Sequence, residues 1–550
     1  MKATKLKRPL LLLLGASVLL MGGCSSDEEA ESASQSAASL AESEGIMILS
    51  DETNVKTIYT TEFQEDIYNQ IEELKSSEYT FDSPLIIANP YRTNTTSLYV
   101  YFNTDEAVEI SYTISADGYS DFSYTTSGGY TTEHEYQLIG LVGGAENTVT
   151  LTATDESGNT ESTQWTYTAP EIQNQDEYIK LDITEGTSTQ EVSDGLYTIL
   201  GNDQDMDEGE DEDAAYRYIY IYDNDGVCRA EIPVMSYRAH RLIFKDGIMY
   251  YSASAKYFVG MDATGRIAEI YDLGDYRLHH DYIFGTDGNV LLLGTEYNAD
   301  TEEDRVLSLD LESGEVTEII DLRDLFGDYL DTLEYPDDDT LDWMHLNTLS
   351  LVDDDSLILS ARETSTIMRV DNIYDNPTVE WTIGSDNFWE GTGYEDLLLE
   401  QVGEFSLQAG QHCVEVVEDE SLEDGQYYLY MFNNNFTKCS SRGYDYDEDD
   451  NYYGTYSEVE EDDAESYFYI YLVDENEGTF ELTYSLPVAY SAYVSSVQLL
   501  DNGNILADSG FAFTAAEYDS DGELISSLNG SGDQWWYRAF KYDYSGFWFK

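Results

Sequence analysis

The sequence predicts an all-β protein: an N-terminal β-sandwich domain followed by a six-bladed β-propeller, with a short N-terminal helix ahead of both. Three observations carry this. From Leu85 onward apolar residues recur at every second position, as in Leu98-Tyr99-Val100-Tyr101-Phe102 and Thr148-Val149-Thr150-Leu151-Thr152-Ala153. From about residue 178 the strand-like runs continue to the end without a helical period of useful length. Polar turns carrying Gly return throughout, at Asp223-Asn224-Asp225-Gly226, Thr286-Asp287-Gly288-Asn289, Glu312-Ser313-Gly314, Asp501-Asn502-Gly503-Asn504 and Ser520-Asp521-Gly522. Recurrent short-stranded units with degenerate sequence mark a propeller, and about 370 residues at about 60 per blade give about six blades. A β-helix would need shorter, more uniform repeats.

Taken in order, residues 1–23 read as a signal peptide. Lys2, Lys5, Lys7 and Arg8 precede an apolar run from Leu10 to Leu20, too short to span a bilayer. The run closes on Gly22-Gly23-Cys24, similar to a bacterial lipobox, which implies cleavage before Cys24 and lipidation of its thiol; an ordinary secretory signal is the alternative. Residues 24–52, rich in Ser, Ala, Glu and Asp, form a flexible acidic tether. Val55, Ile58, Tyr59, Phe63, Ile67, Ile71 and Leu74 recur at helical steps, so residues 53–78 are expected to form one amphipathic helix. Residues 79–172 hold the alternating strands of an immunoglobulin-like sandwich, and 173–550 the propeller. Asp203–Asp213 and Tyr444–Glu465 are acidic insertions; Asp203, Asp205 and Asp207 alternate as in a calcium loop, but without the Gly and Glu in register they read as solvated.

The charge excludes some functions. With Lys+Arg 25 against Asp+Glu 111, a net charge of -86, the chain lacks the basic clusters that phosphate backbones require, so nucleic acid is not a partner. The membrane is met through the lipid anchor alone, giving an extracytoplasmic, membrane-anchored lipoprotein. Beyond Cys24 there are three cysteines; Cys413 and Cys439, on consecutive strand-like runs, are the better disulfide pair, the alternative being three buried thiols. No CxxC spacing exists, and neither a metal nor a cofactor is expected.

Against this background Asp342-Trp343-Met344-His345-Leu346-Asn347, followed by Ser360-Ala361-Arg362, stands out. Of only six histidines, His279 and His280 lie in Leu-His-His-Asp and His412 in Gly-Gln-His-Cys. In a propeller, loops from several blades converge on the channel, so these residues are expected to gather with Arg362 and handle a small oxyanion. His280 is favoured over His279 because Asp281 could fix its tautomer. His134 and His240 read as structural, Trp343 as a packing anchor, and Arg362 has an alternative as the buried partner of a blade carboxylate.

These elements, with Gly410-Gln411-His412, Met431-Phe432-Asn433-Asn434, Tyr537-Arg538-Ala539 and the N-terminal Asn89-Pro90-Tyr91, resemble the bacterial arylsulfate sulfotransferases over roughly residues 50–550. The resemblance implies transfer of a sulfuryl group from a phenolic sulfate ester to a phenol, without a nucleotide sulfate donor, through a covalent sulfohistidine. By motif position it implies His412 as nucleophile, His280 as acid–base residue, and His345, Asn347 and Arg362 as holders of the sulfate oxygens, with His279 beside the substrate. The chemistry agrees: a neutral imidazole attacks an anionic ester without repulsion, and a planar guanidinium supplies preorganised donors. Rival readings are an aryl sulfate hydrolase, a non-catalytic surface propeller that binds glycan or protein, and a histidine metal site.

Overall fold

A computed structural model describes residues 45–201, 217–235, 239–335, 340–417, 419–437, 439, 441, 464–531 and 535–550. The signal segment, Cys24, most of the tether and nearly all of both acidic insertions lie outside the described residues. No described helix is long and apolar enough to cross a membrane.

The helical stretch is two helices, Val55–Ile58 and Thr61–Leu74. Thr60 breaks it: in extended conformation, it caps the second helix by accepting from the Phe63 N–H, since a threonine oxygen competes with a helix interior and suits its start. The expected apolar stripe is preserved, with Val55, Ile58, Ile67 and Ile71 buried.

The sandwich is built around one long strand, Leu98–Ala116, that serves both of its layers. Its first half pairs with Leu85–Ala88 and Thr131–Leu138, its second with Phe122–Thr125 and Glu146–Asp155, which pairs in turn with Thr160–Thr168. Arg229 of the propeller donates to Gly140 O (3.1 Å) and Ser120 O (2.7 Å), and the C-terminal Phe549 stacks on Tyr124 at 3.9 Å, so the two parts share a core.

The remaining described strands make six blade sheets and a two-stranded parallel ladder, Thr301–Glu302 with Leu341–Asp342. Blade 1 is Ala539–Tyr542, Leu196–Ile199, Arg217–Tyr222 and Cys228–Val234. Blade 2 runs from Ile243–Lys245 to Ile267–Asp272, blade 3 from Tyr276–Phe284 to Val316–Asp321, and blade 4 from Leu346–Asp353 to Thr378–Ile383. Blade 5 runs from His412–Val417 to Thr479–Val488, with Glu400–Val402 added in parallel. Blade 6 begins at Ser496–Leu499 and ends on Leu524–Asn529 paired with Asp182–Glu185. Two blades therefore mix strands from both ends of the propeller, which joins first blade to last. The first strands of blades 3, 4, 5, 6 and 1 touch one another in succession, and so line the axis of a six-bladed β-propeller.

Cys413 and Cys439 are not bonded, which corrects the expected pair. None of the three described cysteines is in a disulfide, and all three are buried. The Cys413 thiol donates to Val497 O of blade 6 at 3.2 Å, while Cys439 packs in a separate cluster around Trp343 and Trp389.

Candidate active site

The histidines reach the axis because the inner strands are irregular where they occur. In blade 3 Leu278 pairs with Gly294 and Tyr282 with Leu292, so His279, His280 and Asp281 together face Leu293 alone. Blade 4 carries an extra residue, Asn347, between Leu346 and Thr348, and blade 5 shifts between His412 and Glu415. A left-handed residue lies in or just before each irregularity: His280 (φ 54°), His345 (φ 54°) and Cys413 (φ 54°). Such a conformation costs an L-residue about 1–2 kcal/mol, and bulges of this kind re-aim side chains beside sites. Sequence periodicity alone could not show this.

His412 is buried. Its Nδ1 lies 2.8 Å from Asn434 Oδ1 and 3.0 Å from Gly410 O. The Asn434 amide is oriented by its other end, where Nδ2 donates to Ser491 O (2.9 Å) and Val494 O (3.1 Å). Carbonyl oxygens only accept, so Oδ1 must face the imidazole, Nδ1 must carry the proton, and the lone pair resides on Nε2. Burial drives the His412 pKa well below 6.5, and although Asn434 opposes this, Arg538, Arg362 and His345 push it further down. The imidazole is neutral at pH 7.

His345 behaves oppositely. Its Nδ1 lies 2.6 Å from Asp342 Oδ2 and 2.7 Å from Glu303 Oε2. Burial and Arg362 disfavour the charged ring, but the two carboxylates outweigh them and lift its pKa to about 9. Its ring sits 4.7 Å from that of His280. At His280, Nδ1 meets His279 Nδ1 at 3.1 Å and Glu303 Oε2 at 3.7 Å, while Tyr537 Oη donates to the backbone carbonyl at 3.1 Å. Asp281 is held by Arg241 (3.1 Å) and Arg538 (3.1 Å), so the tautomer-fixing role expected of it is replaced by a structural one. His279 is buried, and that burial lowers its pKa to about 4.

Arg362 extends one nitrogen to Asp342 (3.4 Å) and Glu363 (3.1 Å), yet its buried Nε has no hydrogen-bond partner. It thus combines both expected roles, blade ion pair and available donor. Tyr493 lies under the guanidinium at 5.7 Å and continues into Phe436, Phe511 and Trp535, an aromatic shelf beside the cations. Asn347, expected to face substrate, instead ties blades together: Nδ2 donates to Gln411 O (2.7 Å) and its carbonyl accepts from Arg538 (2.8 Å). Trp343 is the anchor expected, fully buried with Nε1 on Asp304 at 2.9 Å. His134 stacks on Phe102 at 4.6 Å in the sandwich, far from these residues in the fold. His240 lies edge-on to Tyr537 at 5.5 Å, one ring removed from His280.

Two overlapping groups bring ligand-type atoms within 4.8 Å: His279, His280 and Glu303, and Glu303, Asp342 and His345. In the second, the 2.6 Å contact of His345 with Asp342 is a hydrogen bond and the 2.7 Å contact with Glu303 an ion pair; ligands about 2.1 Å from one cation would stand about 3 Å or more apart.

Residues 182–537 match the family model described as arylsulfotransferase (ASST), and residues 85–170 the one described as arylsulfotransferase Ig-like domain. The chain belongs to the arylsulfotransferase family. No curated protein matches it. Among solved structures, a catalytically inactive virginiamycin B lyase from Staphylococcus aureus with quinupristin is 10% identical, covering 64% of this chain and 89% of its own, with a TM-score of 0.32. A putative 6-phosphogluconolactonase from Bacteroides uniformis is 13% identical, covering 77% and 97%, with a TM-score of 0.34. Likenesses that distant say nothing of function. The family makes this arylsulfotransferase an enzyme of aryl sulfuryl transfer.

Proposed function

We propose that the protein transfers a sulfuryl group from a phenolic sulfate ester to a phenol by a ping-pong mechanism through a sulfohistidine at His412. The observation that carries this is the neutral His412 imidazole, its proton fixed on Nδ1 and its Nε2 unprotonated, close to three cations. In the first half-reaction Nε2 attacks sulfur, the N–S bond forms, and the ester S–O bond breaks. His280 gives its proton to the departing phenolate oxygen. In the second half the acceptor phenol returns a proton to His280 as its oxygen takes the sulfuryl group from Nε2. A positioned acid–base of this kind contributes about 10²–10⁴-fold. The charged His345 and the Arg362 fork hold the sulfuryl oxygens, and the shelf headed by Tyr493 suits an aryl ring.

The net charge of -86 opposes an anionic substrate. Arg362 and His345, although ion-paired with Asp342, Glu303 and Glu363, supply the donors for the sulfuryl group, and salt screens the distant carboxylates beyond about 8–10 Å. Export and lipidation at Cys24 belong to the same reading; Cys24→Ser is expected to leave the protein unlabelled by radioactive palmitate in cells.

The test uses 4-nitrophenyl sulfate with and without phenol. Phenol-dependent nitrophenol release that His412→Ala abolishes is expected. An active alanine variant removes the nucleophile, and release indifferent to phenol makes water the acceptor and the enzyme a hydrolase.

A further inference from the structure

We infer that Glu303 is a positioning residue of this site: its carboxylate, carried in from the neighbouring blade, forms an ion pair with His345 beside the Nδ1–H···Asp342 hydrogen bond, and the ring keeps Nε2–H to face the transferred group. This rests on the sulfuryl-transfer reading above, which assigns Glu303 nothing.

The clamp is built. Between the second and third strands of blade 3 the chain leaves the sheet, and Thr301–Glu302 pairs in parallel with Leu341–Asp342, Glu302 opposite Asp342. The next residue, Glu303, turns left-handed (φ 56°). Both its peptide groups are held: N–H donates to Thr295 Oγ1 at 2.8 Å, and the carbonyl accepts from Leu346 N–H, also at 2.8 Å. A two-residue ladder thereby fixes one carboxylate at 2.7 Å from His345 Nδ1 and 3.7 Å from His280 Nδ1.

The charged and titratable groups facing His345 are Asp342 on its own segment, Glu303, Arg362, and the His279, His280 and His412 imidazoles. Burial and Arg362 both disfavour the imidazolium. Two anions restore it, so the ring stays charged. With Nδ1–H committed to Asp342, the ring can offer only Nε2–H elsewhere, and Glu303 acts on the chemistry through the charge it holds on His345.

The test is Glu303→Gln, which keeps size and removes charge. With six histidines, ¹³C-labelled imidazole signals can be followed by NMR in the ligand-free protein, that of His345 being assigned by its loss in His345→Gln. The inference expects the His345 midpoint, near 9 in the wild type, to fall by one pH unit or more. The alkaline limb of 4-nitrophenyl sulfate turnover should fall with it, the variant recovering to within about threefold of wild type below pH 6. A purely structural role would lower turnover at every pH and leave the midpoint in place. If the Gln variant does not fold, Glu303→Asp reads the same quantity, with a smaller fall expected. An unchanged midpoint in whichever variant folds overturns the clamp. Wild-type protein inert towards aryl sulfates, with the midpoint shift present, overturns the sulfuryl-transfer role and leaves the clamp itself.

Discussion

Asn434→Ala tests the electronic state assigned to His412. Asn434 is fully buried and makes three hydrogen bonds, one to His412 Nδ1 and two to the carbonyls of Ser491 and Val494. At about 1 kcal/mol each their loss amounts to about 3 kcal/mol, and leaving buried groups unpaired raises this towards about 5 kcal/mol. Gly410 O still accepts from Nδ1, so the tautomer is weakened rather than inverted, and nitrophenol release should fall about tenfold in single turnover. Urea unfolding of both proteins gives the first quantity and rapid mixing with 4-nitrophenyl sulfate the second. A stability loss below about 1 kcal/mol with an unchanged rate would refute the argument that this amide fixes the imidazole.

Three further outcomes follow. Arg538→Met strands Asp281, which is fully buried; breaking such a pair costs about 3–5 kcal/mol, and because Arg241 still holds Asp281, a loss near the lower end is expected in urea unfolding. The pKa of His345 is raised by folding from 6.5 to about 9, so its contribution to stability is complete below pH 6.5 and lost as pH rises through about 9; the urea midpoint should drop over that interval, and less so in His345→Gln. Cys228, Cys413 and Cys439 should each take up iodoacetamide after unfolding without reductant, since none of them is in a disulfide.

The sequence carried the architecture because alternating runs and Gly-bearing turns act locally. It also carried the convergence of His280, His345, Arg362 and His412, since rare residue types stand out in a chain so rich in carboxylates. What it could not carry depends on contacts between blades. Glu303 is one of 111 acidic residues and is marked only by a ladder to residues some forty positions on. Asn347 and Asp281 lie in the right motifs, yet Gln411, Arg241 and Arg538 engage them, partners no local pattern names. The disulfide expectation failed because adjacency of strand runs ignores which face a bulge presents. Cys413, left-handed at φ 54°, turns to blade 6. Likewise the helix break at Thr60 is a capping signal inside an unbroken apolar period.

The most direct test of the account is peptide mass spectrometry after brief exposure of the protein to 4-nitrophenyl sulfate alone. The account predicts one sulfuryl group on the peptide bearing His412, discharged when phenol is added. Nitrophenol released while that peptide stays unmodified, or a sulfuryl group on a different residue, would contradict it.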